Sequence, residues 1–244
     1  MSPDRAHSAV ITAARPPTVA RMFGHIAPRY DLLNTLMTFG MDAGWRRRAV
    51  AAAALPANGR ALDVGTGTGA LALALARAAP RGRVVGVDFA APMVARARGR
   101  AVAAGLAERA RFALADGLRL PFPDHSFDCV TSAFVVRNVA DVGQAFREQA
   151  RVLRAGGRVV CVELTRPRLP LFRQVFGWYF HRWVPLLGAL VAGDAAAYSY
   201  LPESVDRFPA PPALADVMRE AGLVQVHYEL LGLGTVSLHV GRAR

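Results

Sequence analysis

Asp63-Val64-Gly65-Thr66-Gly67-Thr68-Gly69 decides how this chain is read. A short apolar run, Arg60–Val64, leads into it, and an Ala/Leu run with helical period, Ala70–Ala79, leads out. That order, apolar run then glycines then helical period, is a strand–turn–helix unit. The same unit recurs outward from it. Strands are predicted at Arg83–Phe89, Ala110–Ala115, Phe127–Phe134 and Arg158–Leu164, and helices at Pro92–Ala104 and Val142–Leu153, with Gly156-Gly157 as the stop after the last. Strands alternating with helices predict an open parallel sheet covered on both faces. Two late runs, Gln225–Leu231 and Thr235–Gly241, are separated only by Gly232-Leu233-Gly234. So short a link makes a hairpin and adds an antiparallel strand. The expected fold is α/β and Rossmann-like, with a mostly parallel seven-stranded sheet.

The 244 residues, 53% hydrophobic and 20% charged, exclude a disordered, collagenous or disulfide-scaffold protein. Residues 21–244 are expected to form one domain after a flexible lead-in at 1–20 that lacks the apolar core of a secretory signal. A helical arm at 21–57, with helices at Thr18–Phe23, Tyr30–Leu36 and Asp42–Leu55, precedes the sheet, and an aromatic-rich insertion at 166–212 interrupts it before a helix at Leu214–Ala221. Cys129 and Cys161 sit in apolar runs, as buried reduced thiols of a cytoplasmic protein do. The net charge of +12 points at first to nucleic acid, but all 30 basic residues are arginine in an Ala/Gly/Pro-rich chain, so much of that charge is compositional.

Glycines after a strand let the backbone approach a ligand, and the following helix N-terminus favours its negative group. Dinucleotide sites prefer G-x-G-x-x-G, with room for a pyrophosphate. Here the spacing is G-x-G-x-G behind Asp63, which suits a ligand with an amino-acid end, S-adenosylmethionine, with Asp63, Gly65 and Gly67 at that end. Asp88, at the end of the second strand, is placed to accept ribose hydroxyls, Phe89 to pack on adenine, and Asp116 with Gly117 to receive its amine. No metal is expected.

Several segments resemble the ubiquinone/menaquinone biosynthesis C-methyltransferase family. They are Met22-Phe23-Gly24-His25-Ile26-Ala27-Pro28-Arg29-Tyr30-Asp31-Leu32-Leu33-Asn34, Phe134-Val135-Val136-Arg137-Asn138-Val139, Glu163-Leu164-Thr165-Arg166-Pro167 and Tyr198-Ser199-Tyr200-Leu201-Pro202-Glu203-Ser204. The resemblance implies a class I S-adenosylmethionine-dependent methyltransferase, with Thr68 and Asp88 lining the cofactor site. Its substrate would be a reduced prenylated quinone precursor, demethylmenaquinol being preferred over the benzoquinol of ubiquinone synthesis. Val135 stands where the family usually has glycine, which predicts a narrowed or reshaped pocket, and Ala133 replaces a common serine.

A sulfonium methyl needs an electron-rich acceptor, so the quinol and not the quinone is expected to react. A free phenol titrates near 10, and Arg137 is the expected cation that favours its phenolate. Asn138 or Tyr30 would position a water that takes the proton. Between Glu163 and Asp194 no acidic residue occurs, while Arg166, Arg168, Arg173, His181 and Arg182 alternate with aromatics. That pattern fits both a lid over the substrate and transient contact of 166–192 with an anionic membrane. The expected location is cytoplasmic and peripheral at the inner face of the membrane, with no nucleic acid partner and self-association left open. Alternatives are another small-molecule methyltransferase and a cofactor-binding scaffold subunit of a quinone-synthesis complex.

Overall fold

The computed structural model describes residues 29–184, 186 and 195–244, with 195–200 described by their backbone alone. The lead-in, the helix expected at Thr18–Phe23, the first part of the arm signature and the Gly193-Asp194 pair lie outside the described residues. Seven strands are observed: β1 (Arg60–Val64), β2 (Arg83–Asp88), β3 (Ala110–Leu114), β4 (Phe127–Ala133), β5 (Leu153–Leu164), β6 (Val224–Leu231) and β7 (Val236–Arg242). They lie in the order β3-β2-β1-β4-β5-β7-β6. The first five are parallel, and β7 runs antiparallel to both β5 and β6, as the hairpin spacing requires.

Helices α1 (Tyr30–Met37), α2 (Met41–Ala53), α3 (Ala70–Ala78), α4 (Ala91–Ala103), α5 (Val142–Arg151), α6 (Pro170–Trp178), α7 (Ala195–Arg207) and α8 (Pro211–Glu220) surround the sheet. Successive strand residues point to opposite faces. Ala61 therefore joins Trp45, Ala49, Leu71, Leu75 and Val94 beneath α2, α3 and α4, while Leu62 joins Phe146, Leu214 and Met218 beneath α5 and α8. Local chemistry starts these helices. Asp141 accepts the Gln144 amide at 2.8 Å to cap α5, a bond typically worth about 1 kcal/mol. Prolines occupy the first turns of α4, α6 and α8, where a missing N–H costs nothing.

Two sequence readings are corrected. The pairing of β4 with β5 jumps from Phe127–Leu153 to Cys129–Arg158, so Gly156-Gly157 is a bulge inside β5, not the stop of a helix. The chain terminus holds that bulge: Gly156 donates to the Ala243 carbonyl, and Ala243 donates back to Gly157. The fourth strand stops before Phe134, whose φ of 59° turns the backbone out of the sheet. The chain leaves β1 toward β2 and β3, then returns on the other side of β1 as β4. A crevice opens at such a switch point, outside the carboxyl ends of the two strands. Residues 65–69 and 134–138 bracket it.

Candidate active site

The glycine loop is braced from below by Asp63. Asp63 and Thr131 are register partners across β1 and β4, so their side chains share a face. The Asp63 carboxylate accepts the Thr131 hydroxyl at 2.6 Å and the Thr66 hydroxyl at 2.7 Å. Asp63 is thus a strut of the loop as well as part of the wall it lines. Gly65, Gly67 and Gly69 all have positive φ, the left-handed region that glycine enters without cost. A Cβ on Gly65 would stand 2.3 Å from Val135 Cγ2. Val135 therefore fills the space above Gly65 and packs into the core, outside the cavity lining.

Asp88 ends β2 with its carboxylate turned back to the loop, accepting from the Gly67 amide at 2.8 Å and the Ala90 amide at 2.9 Å. Burial pushes its carboxyl up and those amides hold it down. Two amide bonds leave lone pairs open for ribose hydroxyls. Asp116 is exposed and accepts the Leu118 amide at 2.9 Å in a tight turn, with Gly117 beside Val64.

A cavity of about 750 Å³ opens from the crevice. One end is walled by Asp63, Gly65, Gly67, Thr68, Tyr30 and Arg137. The other is walled by apolar and aromatic side chains of α2, α6 and the turns at 38–41 and 232–235, among them Trp45, Phe172, Phe176 and Tyr179. Among the expected site residues, Asp88, Phe89, Asp116, Gly117 and Asn138 lie outside this lining. Asn138, expected in the catalytic set, stands behind the cavity lining. Its Nδ2 only reaches the Phe134 carbonyl at 3.5 Å and its Oδ1 is buried without a partner, within the short 3₁₀ turn Val136–Asn138.

Arg137 does reach the cavity, though not as a lone cation. Its Nη1 donates to Glu163 Oε2 at 2.9 Å, with the guanidinium side chain 6% and the carboxylate 0% exposed. Glu163 also accepts the Arg137 backbone amide at 3.2 Å, so side chain and backbone are both anchored to it. The Arg137 Nε is buried and has no protein partner. A buried pair of this kind is close to neutral as a unit. The arrangement leaves Arg137 an oriented guanidinium with an unpartnered Nε, not the lone cation the sequence predicted. Glu163 was the missed residue. Its signal was an acid inside the apolar run Val159–Leu164, since such an acid must find a partner when buried.

Burial raises the Tyr30 phenol above its ordinary value, with Arg137 and an Asn34 hydrogen bond opposing. Tyr30 stays protonated near neutral pH and can donate, but it cannot serve as the base. Cys129 is buried with its thiol pushed up to about 12, which removes it as a nucleophile.

Two buried groups on the sheet have opposing pH behaviour. Burial pushes Asp63 up to about 6, so between pH ~4 and ~6 the folded state holds a proton the unfolded chain releases. Stability from this group falls as pH rises through that window. Burial pushes His239 down to about 4, so stability from it falls as pH drops from ~6.5 to ~4. The two slopes oppose. Asp63→Asn removes one, and its stability relative to wild type should rise by about 2–3 kcal/mol between pH 4 and 6. Urea unfolding across that range reads this directly, and parallel curves for the two proteins would refute it.

A glycine loop at the switch point with an acid at the end of the next strand defines the class I methyltransferase architecture. A family profile described as the ubiE/COQ5 methyltransferase family matches residues 10–243, and the chain belongs to that family. It is 51% identical over 226 residues to the demethylmenaquinone methyltransferase of Roseiflexus castenholzii, covering 93% of each chain. It is 54% identical over 220 residues to the enzyme of the same name from Thermus thermophilus, covering 90% of this chain and 99% of that one. Among solved structures the [4+2]-cyclase SpnF superposes with a TM-score of 0.73 at 18% identity, covering 97% of this chain and 99% of the other. At that identity the likeness shows the fold alone, and a cyclase on this fold illustrates why the site must carry the function. The family's cofactor is S-adenosylmethionine. The chain's residues fit it: the glycine loop opens toward the cavity at Gly67, where a Cβ would meet nothing nearer than Tyr30 Cε1 at 3.9 Å.

Proposed function

We propose that the protein transfers a methyl group from S-adenosylmethionine to a ring carbon of a reduced prenylated naphthoquinone precursor, demethylmenaquinol. The observation that carries this is the single cavity that joins the glycine loop and Arg137 to an aromatic-walled mouth. Its polar end suits the cofactor and a ring hydroxyl, and its apolar end suits a prenyl chain. The names of the Roseiflexus and Thermus relatives favour the naphthoquinol over the benzoquinol.

When bound, S-adenosylmethionine supplies an electrophilic methyl on sulfur. The glycine loop, Thr68 and Asp88 would hold it. Arg137, fixed by Glu163, donates to the ring oxygen as charge develops there, and the protonated Tyr30 adds a second donor. The ring hydroxyl would give its proton to a water at the polar end of the cavity, the ring carbon would take the methyl as the methyl–sulfur bond breaks, and the ring C–H proton would then pass to a water there as aromaticity returns. The apolar wall keeps water from the reacting atoms and aligns them, the larger share of such accelerations.

The same reading includes transient contact with an anionic membrane. Among the described residues no helix is long and apolar enough to cross a bilayer. Yet the cavity mouth is rimmed by Phe39 at 76%, Leu233 at 71% and Trp178 at 62% exposure. Phe39 and Leu233 both hold left-handed backbone, φ 50° and 57°, at the tips of two turns. That conformation costs a non-glycine residue roughly 1–2 kcal/mol, and an exposed side chain returns little packing for it. Among the described residues no carboxylate lies in ion-pair distance of Arg166, Arg168, Arg173 or Arg182 around α6. An apolar rim with unpaired arginines matches an anionic headgroup layer above acyl chains.

The test presents demethylmenaquinol and the ubiquinone-type benzoquinol in anionic and in neutral vesicles. The naphthoquinol should react faster, more so in anionic vesicles, and Phe39→Ser/Trp178→Ser should lower sedimentation with vesicles about tenfold. Preference for the benzoquinol would move the substrate assignment. Equal binding of wild type and double variant to both vesicles would remove the membrane surface.

A further inference from the structure

We propose that Asp31 and Arg100 form a clasp that fastens helix α1 onto the glycine loop, making both of them positioning residues for the cofactor end of the site. The inference rests on the methyltransferase reading above for what the clasp positions, though not for the clasp itself.

Three elements distant in sequence meet at one carboxylate. Asp31 on α1 accepts the Thr68 hydroxyl at 2.7 Å with Oδ1 and the Arg100 guanidinium at 2.7 Å with Oδ2. From α4, the same Arg100 Nη1 reaches the Thr68 hydroxyl at 2.8 Å and its carbonyl at 3.1 Å. Thr68 stands between Gly67 and Gly69, the part of the loop that must take a fixed shape around a ligand. The clasp thus ties the arm, the loop and the helix after β2 into one unit.

Helix α1 needs such a tie. It has eight residues, well below the length at which a helix is stable alone, and Leu33 is its one fully buried side chain. Tyr30, the neighbour of Asp31, packs against Ala90 and Met93 and lies over Gly67. Holding Asp31 therefore also holds the Tyr30 phenol above the loop and Asn34 at the cavity wall. With α1 loosened, the loop loses its cover and Tyr30 its station. The clasp charges are 38% and 37% exposed, which makes the pair sensitive to salt and able to open. A cover that opens and recloses is what cofactor exchange beneath Tyr30 requires.

The experiment uses the full chain and the variants Asp31→Asn, Arg100→Gln and the charge-reversed Asp31→Arg/Arg100→Asp. Hydrogen exchange without cofactor should show the α1 amides at 33–37 exchanging about tenfold faster in Arg100→Gln, although the substitution lies on another helix. Calorimetric titration with S-adenosylmethionine should show Kd raised about tenfold in each single variant, and the reversed pair should recover most of that loss. Unchanged exchange in α1, or a reversed pair no better than the singles, overturns the clasp. Failure of the wild-type protein to bind S-adenosylmethionine would overturn the functional reading instead, with the exchange result still judging the clasp.

Discussion

Arg137→Ala is expected to lower kcat by about 10²–10³, the range for loss of one preorganised donor to a developing oxyanion, while the Kd for S-adenosylmethionine stays near the wild-type value. The expectation comes from the place of Arg137 in the cavity wall and from its buried, unpartnered Nε. Truncation also strands Glu163, so lowered stability could imitate lost catalysis. Arg137→Lys separates the two. It keeps a charge beside Glu163 but loses the planar fork, and should stay folded with kcat down about tenfold or more. Full turnover in either variant would contradict the role of Arg137.

Glu163→Ala is expected to cost about 3–5 kcal/mol, because it leaves a buried guanidinium without its anion. For a chain of this size that corresponds to a melting temperature lower by roughly 10 °C. The double variant Arg137→Met/Glu163→Gln should recover much of the stability, since it removes both buried charges and keeps an acceptor for the backbone amide of residue 137. It should recover none of the turnover. That split between stability and kcat distinguishes a pair kept for chemistry from one kept for folding, and parallel recovery of both would deny Arg137 its role.

The sheet was legible because its signals are local. β1, β2 and β6 end at a glycine or an acid, and the three-residue link at 232–234 can only make a hairpin. The loop at 63–69 was legible for the same reason. Glu163 was half visible, as an acid in an apolar run, but its partner lies 26 residues back and only the β4–β5 neighbourhood joins them. Asp31 and Arg100 gave no signal: an acid on a short helix and an arginine in an arginine-rich chain are unremarkable until the fold places them 2.7 Å apart. The bulge at Gly156-Gly157 was misread because a glycine pair after a helical run has the same appearance whether it stops a helix or bends a strand. Asn138 was read from the Phe134–Val139 element, and only the 3₁₀ turn shows that its side chain stands apart from that of Arg137. Val135 could not be placed without the return of β4 beside β1, which brings it over Gly65.

The composition also changed meaning. The charge of +12 is not spread as one undivided signal. Part of it is spent on internal ties such as Arg100 to Asp31 and Arg137 to Glu163, and part, on the arginines around α6, has no carboxylate partner among the described residues.

The central claim is carbon methylation of a quinol. An anaerobic assay with methyl-labelled S-adenosylmethionine and demethylmenaquinol tests it most directly. Label should appear on the ring carbon of the reduced substrate, and chemically oxidised demethylmenaquinone should take up none. Label on a quinol oxygen, or no transfer to any reduced quinone by protein that binds the cofactor, would contradict it.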